Sequence, residues 1–201
     1  MPTPAPIASP IVHVVDDDAS VRNALGRMLR ASGYAVQLFA SGQEFLDQCS
    51  TATAGCVLVD LDMPGLGGME LQTALSRSNH LLPVVFLTGR GDIPTSVRAM
   101  RQGAEDFLTK QAPKAAVLAA VQRALARDAR ERANRARLAG LTLREREVLG
   151  HVVAGKLNKQ IAADLGLNER TVKLHRTAIT TKLGVPSVAE LTKLWIEAGG
   201  V

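Results

Sequence analysis

The sequence predicts a doubly wound α/β domain with a parallel sheet, followed by a smaller all-α domain. The first half contains short apolar runs bounded by turn residues, as buried parallel strands are. The second half instead carries the start and stop signals of short helices. The chain of 201 residues is long enough for two domains of this size.

Polar residues end each of the four predicted strands. Ligands of an open parallel sheet bind beyond the carboxyl ends of its strands, so these polar side chains are expected to share one crevice. Acids after a strand can also be solvated turns, but four polar sites in this order favour phosphoryl-transfer chemistry. The strands are Ile11 to Val15, followed by Asp16, Asp17 and Asp18; Cys56 to Asp60; Pro83 to Thr88; and Asp106 to Lys110.

The charges of this crevice suggest a role for each side chain. The carboxylates of Asp16, Asp17 and Asp60 would form an oxygen site suited to Mg²⁺, which prefers one or two carboxylates with waters and phosphate oxygens. Asp60 is then the candidate nucleophile for an aspartyl phosphate. The Lys110 ammonium and the Thr88 hydroxyl can neutralise and hydrogen-bond the transferred phosphoryl group.

The segment from Pro113 to Gly140 is predicted to form one long helix. Proline is tolerated in the first turn, the interior is rich in strong helix formers, and glycine can end the helix. Residues 126 to 138 have little to bury and are predicted to form a solvent-exposed helical linker, with a dimeric coiled coil as the less favoured alternative. The apolar stripe expected to pack on the first domain consists of Val117, Leu118, Val121 and Leu125.

The last part of the chain is predicted to contain four helices, of which the middle two form a helix-turn-helix. Glycines at positions 155, 166 and 184 lie where three of these helices should end. The predicted starts are two capping boxes, Thr142 with Glu145 and Ser187 with Glu190, and two N-caps, Asn158 and Asn168.

The second helix of this pair has two different faces. At about 100° per residue, Ile179 and Leu183 lie within roughly 20° of Val172, and all three should face the core. The opposite face mixes cationic, hydroxyl and apolar groups and suits a major groove, although a solvated surface is the commoner role of such faces. It consists of Arg170, Lys173, Leu174, Thr177 and Thr181. His175 and Arg176 instead flank the core stripe and are candidates for phosphate contacts.

Charge differs between the two parts of the chain. Residues 1 to 122 contain 9 Lys and Arg against 11 Asp and Glu, a net −2. Residues 123 to 201 contain 15 against 8, a net +7, which gives the +5 of the whole chain. A basic second part favours a polyanionic partner such as DNA, because Lys and Arg release condensed counterions from it.

Cysteine content and hydropathy predict a cytoplasmic protein with no membrane partner. Cys49 and Cys56 lack metal-type companions and are expected to be free thiols in a reducing compartment. No apolar run reaches the length of a membrane helix, and residues 1 to 10 lack the pattern of a signal peptide. This leader is expected to be disordered.

The stretches VVDDDASVRNALGRML, VLVDLDMPGLGGMEL, VVFLTGRGDIPTSVRAM and RQGAEDFLTK resemble the receiver domain of bacterial response regulators. The resemblance implies a flavodoxin-like fold with a five-stranded parallel sheet, phosphorylated by a partner histidine kinase with Mg²⁺. The implied site residues are Asp60 as phosphoacceptor, Asp17 as a direct metal ligand, Asp16 as a ligand through water, Asp62 through its backbone carbonyl, Lys110 as the phosphoryl-stabilising cation, and Thr88 with Phe107 as a switch pair. The alternative for Phe107 is an ordinary aromatic side chain of the core.

The stretch from LTLREREVLG to VPSVAEL, within residues 139 to 193, resembles the DNA-binding domain of the LuxR family. Together with the receiver-like part, it resembles the NarL/FixJ class of regulators, and GRGDIPTSVRAM favours the FixJ side. The resemblance implies that the last helix, Val188 to Ala198, pairs two copies on DNA, with Trp195 as a core or dimer contact. The implied base contacts are Lys173, Leu174 and Thr177, and the implied phosphate contacts are Lys159, Thr171, His175 and Arg176.

The predicted function is a phosphorylation-controlled, DNA-binding transcription regulator that dimerises on phosphorylation and is not an enzyme beyond reactions of its own phosphoryl group. Its predicted parts are the leader (1–10), the receiver (11–125), the helical linker (126–138) and the DNA-binding domain (139–201). One alternative is a phosphorylation-independent regulator whose receiver is a sensor or dimerisation scaffold. A haloacid-dehalogenase-like phosphatase fits VDLDM, but its nucleophile motif precedes its paired acids, the reverse of the order here.

The sequence departs from the receiver pattern directly after Lys110, where a proline in a cis bond is usual. Here Gln111 follows, and the proline comes at Pro113. A cis bond before a residue other than proline costs roughly 2.5 to 4 kcal/mol, against about 0.5 to 1 kcal/mol before proline. A trans bond is therefore predicted between Lys110 and Gln111, with Lys110 held less firmly over Asp60.

Overall fold

The computed structural model describes residues 9–50, 52–78, 82–89 and 93–199. The chain divides into two compact units, Met1–Ala129 and Arg130–Val201. The disordered leader predicted for residues 1 to 10 falls mostly on residues 1 to 8, which lie outside the described residues.

The first unit contains a five-stranded parallel sheet with helices on both faces, which confirms the predicted fold class. The strand order is β2-β1-β3-β4-β5. The bounds of the four predicted strands agree with the structure to within one residue. The elements are β1 (Ile11–Val15), α1 (Ala19–Ala31), β2 (Ala35–Phe39), α2 (Gly42–Gln48), β3 (Gly55–Asp60), α3 (Gly68–Arg77), β4 (Val84–Thr88), α4 (Ile93–Arg101), β5 (Asp106–Thr109) and α5 (Lys114–Ala139).

The strand β2 was not among the runs identified from the sequence. It lies at the edge of the sheet, where it pairs with β1 alone among the described strands, and it alternates exposed with partly buried residues. An edge strand buried on one side lacks the continuous apolar run of a central parallel strand. Its signal is the alternation of Val36 and Leu38 with Ala35 and Gln37.

Two apolar clusters cover the two faces of the sheet. On one face, Val12, Val14 and Leu58 pack with residues of α1 and α5 such as Leu29 and Val121. On the other face, side chains of the same strands pack with α2, α3 and α4, since successive residues of a strand point to opposite faces. This second cluster includes Val15, Val57, Val59, Phe45, Leu71, Phe86 and Ala99.

The helix α5 confirms one long helix but corrects its second part. Asp128 is 2% exposed, and its carboxylate accepts a hydrogen bond from the Gly55 N–H at 2.9 Å, within the first unit. Within the second unit, Asn134 is 7% exposed and donates to Glu197 at 2.8 Å. The predicted solvent-exposed linker over residues 126 to 138 is therefore wrong at these positions. The buried side chains at these positions are polar and hydrogen-bonded, so the spacing of apolar residues in the sequence does not indicate their burial.

The second unit contains the four predicted helices after the end of α5. Their apolar faces form one cluster that includes Val148, Leu149, Ile161, Val172 and Ile179, while Trp195 packs partly buried against it. Within the described residues, no helix combines the length and the apolar character of a membrane span. The helices are α6 (Leu143–Val153), α7 (Asn158–Leu165), α8 (Glu169–Leu183) and α9 (Val188–Glu197).

The helix ends follow most of the predicted signals. The capping box of Thr142 and Glu145 is formed, Asn168 and Ser187 cap α8 and α9, and Gly166 and Gly184 end α7 and α8 in left-handed conformations. The prediction of Asn158 as an N-cap is wrong. Leu157 is the N-cap residue instead, and its backbone N–H donates to the Gln160 side chain at 2.8 Å. The Asn158 side chain does not cap α7, because it accepts a hydrogen bond from Arg176.

His13 is a fully buried polar side chain within β1. The ring centroids of Phe39 and Phe45 lie 5.8 and 5.4 Å from that of His13, and neither imidazole nitrogen has a hydrogen-bond partner among the described residues. Burial lowers the pKa of His13 from 6.5 to about 4, because a charged ring would lose its water without gaining a partner. The ring is therefore neutral in the folded protein at neutral pH.

Replacing His13 with leucine should make the first unit less sensitive to acid. As the pH falls from 6.5 towards 4, the unfolded chain binds a proton that the folded chain excludes, so wild-type stability is full above pH 6.5 and decreases below it. The decrease approaches about 3 kcal/mol at the acid limit. Urea unfolding at neutral pH and at about pH 5, followed by the fluorescence of Tyr34, should show a smaller loss for His13→Leu.

Trp195 provides the control, because the single Tyr and the single Trp lie in different units. The pH dependence of the Trp195 transition should be the same in both proteins. An equal loss of Tyr34-detected stability in wild type and His13→Leu would contradict the role given to His13.

Candidate functional site

The register of the sheet places the predicted polar residues at one edge. β1 and β3 are aligned at Val15 and Val59, so the residue after β1 lies beside the last residue of β3. β4 and β5 are aligned at their final residues, and the next residue of the chain follows at the same level. The side chains brought together in this way are those of Asp16, Asp60, Thr88 and Lys110.

Two of the three candidate metal-binding carboxylates are buried. Asp16 is 1% exposed and accepts a hydrogen bond from the Asp18 N–H at 2.9 Å. Asp60 is 4% exposed and accepts from the Asp62 N–H at 3.4 Å. Asp17 is exposed at the rim, and Asp18 caps α1 through the backbone N–H groups of residues 20 and 21. The loop after β1 therefore holds Asp16 in a fixed orientation.

The spacing of these carboxylates suits a divalent cation. One oxygen from each of Asp16, Asp17 and Asp60 lies within 4.8 Å of the other two. A hard cation such as Mg²⁺ takes oxygen ligands and uses few protein carboxylates, so this set fits it chemically. The predicted contribution of the Asp62 backbone carbonyl stays a prediction.

The Lys110 ammonium joins the two buried carboxylates. Its Nζ lies 2.8 Å from Asp60 Oδ2 and 2.8 Å from Asp16 Oδ2. Burial raises the pKa of the Asp60 carboxyl, although Lys110 opposes this effect. Burial alone would lower the pKa of Lys110, but the two carboxylates outweigh it and raise the pKa, so the lysine stays charged.

No cis peptide bond occurs among the described residues, so the bond between Lys110 and Gln111 is trans, as predicted. The accompanying expectation, that Lys110 is held less firmly over Asp60 than it would be with a following proline, stays a prediction. In addition to its two carboxylate contacts, Lys110 donates its backbone N–H to the Thr88 carbonyl at 2.7 Å. The aligned ends of β4 and β5 hold the lysine without help from a proline.

Thr88 and Phe107 lie on neighbouring strands near this edge. Thr88 is fully buried at the end of β4. Phe107 is partly buried on β5, and its ring centroid lies 6.1 Å from that of Phe86. Phe107 therefore packs against the core in this state, and its role as a switch partner of Thr88 stays a prediction.

Arg22 contacts the acidic loop and was not identified from the sequence as a site residue. Its Nη1 donates to the backbone carbonyl of Asp16 at 2.5 Å and to that of Asp17 at 3.2 Å. The sequence signal is weak: an arginine four residues after an N-cap aspartate, in the first turns of α1. Nothing in the sequence shows that its side chain turns back to the loop.

The helix α8 presents the predicted base-contacting residues to solvent. Lys173 and Thr177 are exposed, and Leu174 is 65% exposed. The three residues predicted to face the core, Val172, Ile179 and Leu183, are buried. An exposed leucine between a lysine and a threonine, on a helix whose other face is fully packed, is available for contact with a partner.

The predicted phosphate-contacting residues surround this face. Lys159 is exposed near the start of α7, and His175 is partly buried. Thr171 donates its hydroxyl to the N-cap Asn168 at 2.9 Å. Arg176 donates from Nη1 to Asn158 Oδ1 at 2.9 Å, which links α8 to the first turn of α7.

Two family models match the chain. The model described as "Response regulator receiver domain" matches residues 12–122. The model described as "Bacterial regulatory proteins, luxR family" matches residues 139–195. These ranges contain the carboxylate site and the exposed face of α8, respectively.

The chain is similar over nearly its whole length to curated regulators and to a solved structure. "Transcriptional regulatory protein FixJ" of Azorhizobium caulinodans is 42% identical over 196 residues, which are 94% of this chain and 92% of that protein. "Nodulation protein W" of Bradyrhizobium diazoefficiens is 41% identical and covers 92% of this chain and 84% of its own. The low-resolution structure of the response regulator StyR has a TM-score of 0.61 at 41% identity, covering 94% of this chain and 100% of its own.

Proposed function

The chain belongs to the bacterial response regulators that join a receiver domain to a luxR-family DNA-binding domain, and we propose that phosphorylation of Asp60 controls its binding to DNA. It is a transcription regulator, and its receiver domain is the proposed site of phosphorylation. The observation that carries the choice of Asp60 is its position: it is the buried carboxylate that ends β3, bonded to Lys110 and next to Asp16 and Asp17.

In the proposed reaction, a carboxylate oxygen of Asp60 attacks the phosphorus atom of a phosphohistidine on a partner kinase. The new O–P bond forms as the P–N bond breaks, and the electron pair of that bond stays on the imidazole nitrogen. Mg²⁺ held by Asp16, Asp17 and Asp60 would offset the negative charge that builds up on the phosphoryl oxygens. Lys110 is placed to bond a phosphoryl oxygen on Asp60, because its Nζ already contacts Oδ2 of that side chain.

The response to phosphorylation is proposed to pass through Thr88. A phosphoryl group on Asp60 offers new acceptor oxygens to the Thr88 hydroxyl. Movement of Thr88 towards them would open space that the partly buried ring of Phe107 can fill. β4 ends at Thr88 and leads towards α4, so this change would reach the surface of the receiver at α4.

An exposed apolar face of α4 supports the proposal that the phosphorylated receiver dimerises. Ile93, Val97 and Met100 are 79%, 44% and 47% exposed, and their spacing of four and three residues places them on one helical face. A second copy of this chain is the proposed occupant of this face. Pairing raises the effective concentration of the second DNA-binding domain at its half-site.

The exposed face of α8 is proposed to lie in the major groove. Lys173 can donate to guanine, Leu174 can contact a thymine methyl group, and Thr177 can bond either kind of base edge. Lys159, Thr171, His175 and Arg176 are proposed to contact backbone phosphates. A cytoplasmic location is part of this proposal, because the DNA of a bacterial cell lies in its cytoplasm.

A small phosphodonor should label Asp60 alone. Incubation of the full chain with acetyl phosphate and Mg²⁺ should add one base-labile phosphoryl group, detected by intact mass, and a chelator should suppress the reaction. Asp60→Asn should abolish the labelling. Asp47→Asn is the matched control, an exposed aspartate on α2 outside the site, and should be labelled like the wild type. Undiminished labelling of Asp60→Asn would refute the assignment.

Phosphorylation should convert the chain from monomer to dimer through α4. Sedimentation velocity with acetyl phosphate and Mg²⁺ should show a dimer for the wild type. Val97→Lys should remain monomeric, because a charged side chain in a desolvated interface costs free energy. Ala24→Lys adds the same charge at an exposed position of α1 and should dimerise normally. A dimer that is equally stable in Val97→Lys would exclude α4 as the interface.

Two substitutions on α8 should have different effects on DNA binding. Lys173→Ala should lower affinity by roughly 1 to 3 kcal/mol and relax the preference at one base position. Arg176→Ala should weaken binding to all sequences alike and reduce the slope of affinity against salt by about one. Fluorescence anisotropy with a DNA selected from a random pool, and with single-base variants of it, measures both quantities. Identical behaviour of the two variants would contradict the division into base and phosphate contacts.

A further inference from the structure

Arg22 closes the loop that carries the first two candidate metal ligands. Its side chain leaves the first turns of α1 and returns to the loop, where one guanidinium nitrogen contacts the backbone carbonyls of both Asp16 and Asp17. The backbone N–H of Arg22 also donates to the Asp18 carbonyl at 2.9 Å, within the helix. Three consecutive carbonyls of the acidic loop are thus bonded to one residue.

These bonds determine where the Asp17 carboxylate can point. Asp16 is held by the Asp18 N–H and by Lys110, and Asp18 is held by its capping of α1. Asp17 is exposed, and its carboxylate makes no hydrogen bond or ion pair among the described residues. The orientation of its side chain therefore depends on its backbone, which Arg22 bonds through the carbonyl groups on both sides of the Asp17 Cα.

The charge of Arg22 and its hydrogen bonds to the loop are expected to have opposite effects on metal affinity. A guanidinium is always protonated, so its positive charge next to three carboxylates should repel a second cation and weaken metal binding. A bonded loop should strengthen metal binding, because groups that orient metal ligands commonly change affinity by roughly 10- to 100-fold. The sign of the change on replacing Arg22 therefore distinguishes the two effects.

We propose that Arg22 is a positioning residue of the metal site, which fixes the backbone of Asp16 and Asp17 so that both carboxylates face the cation. This inference rests on the proposed Mg²⁺ site. It concerns a residue that touches neither the metal nor the phosphoryl group and acts through the loop.

The test is isothermal titration of the full chain with Mg²⁺ alone, in the absence of any phosphodonor. Arg22→Lys keeps the positive charge but replaces the planar guanidinium by a single ammonium, and Arg22→Gln also removes the charge. We expect the Mg²⁺ dissociation constant to rise roughly 10-fold or more for Arg22→Gln and by a smaller factor for Arg22→Lys. Arg27→Gln is the matched control, an exposed arginine on the same helix, and should bind Mg²⁺ like the wild type.

Unfolding measured by circular dichroism in a chelator separates positioning from general stability. Weakened Mg²⁺ binding in an Arg22→Gln protein that is folded at the titration temperature supports the proposal. Unchanged or tighter Mg²⁺ binding by Arg22→Gln overturns it, even if the unfolding temperature falls. Should the wild type itself not bind Mg²⁺, the proposed metal site would fail, and the inference for Arg22 would fail with it.

Discussion

The receiver depends on one electrostatic constraint, the need for a cation between carboxylates that end neighbouring strands. Lys110 Nζ lies 2.8 Å from both Asp16 and Asp60, which are 1% and 4% exposed. Buried like charges disfavour ionisation unless an opposite charge is close. A phosphoryl group on Asp60 would add negative charge next to Lys110 and Asp16. The proposed phosphorylation would therefore change the balance of charge that holds these side chains together.

The same contacts connect the site to the rest of the receiver. Lys110 also bonds the Thr88 carbonyl, which links the end of β5 to the end of β4. Beyond Thr88, the chain reaches α4, whose exposed Ile93, Val97 and Met100 are otherwise unexplained in a folded domain. Thr88, beside the proposed phosphorylation site, and the proposed dimer surface of α4 therefore lie at the two ends of the short segment that joins β4 to α4. In the second unit, packing of one face of α8 leaves the opposite face available for DNA.

The fold, and the convergence of polar side chains at one edge of the sheet, could be predicted from the sequence because both depend on local, repeated signals. Central parallel strands appear as apolar runs, and their polar ends must meet at one edge, which identified Asp60 and Lys110 without a structure. The remaining features depend on contacts between distant residues. Asp128 is buried because it bonds Gly55, Asn158 is diverted from capping by Arg176, and Arg22 turns back to its own loop. No periodic pattern records such hydrogen bonds, and the half-exposed strand β2 is too weakly apolar to stand out.

The affinity of the full chain for DNA, with and without phosphorylation, tests the central claim most directly. The DNA would be selected from a random pool with phosphorylated protein, and its binding measured with and without acetyl phosphate and Mg²⁺. Tighter binding after phosphorylation is predicted for the wild type, with no change for Asp60→Asn. Equal affinity of the wild type under both conditions would contradict control through Asp60 and would favour a receiver that serves as a phosphorylation-independent scaffold.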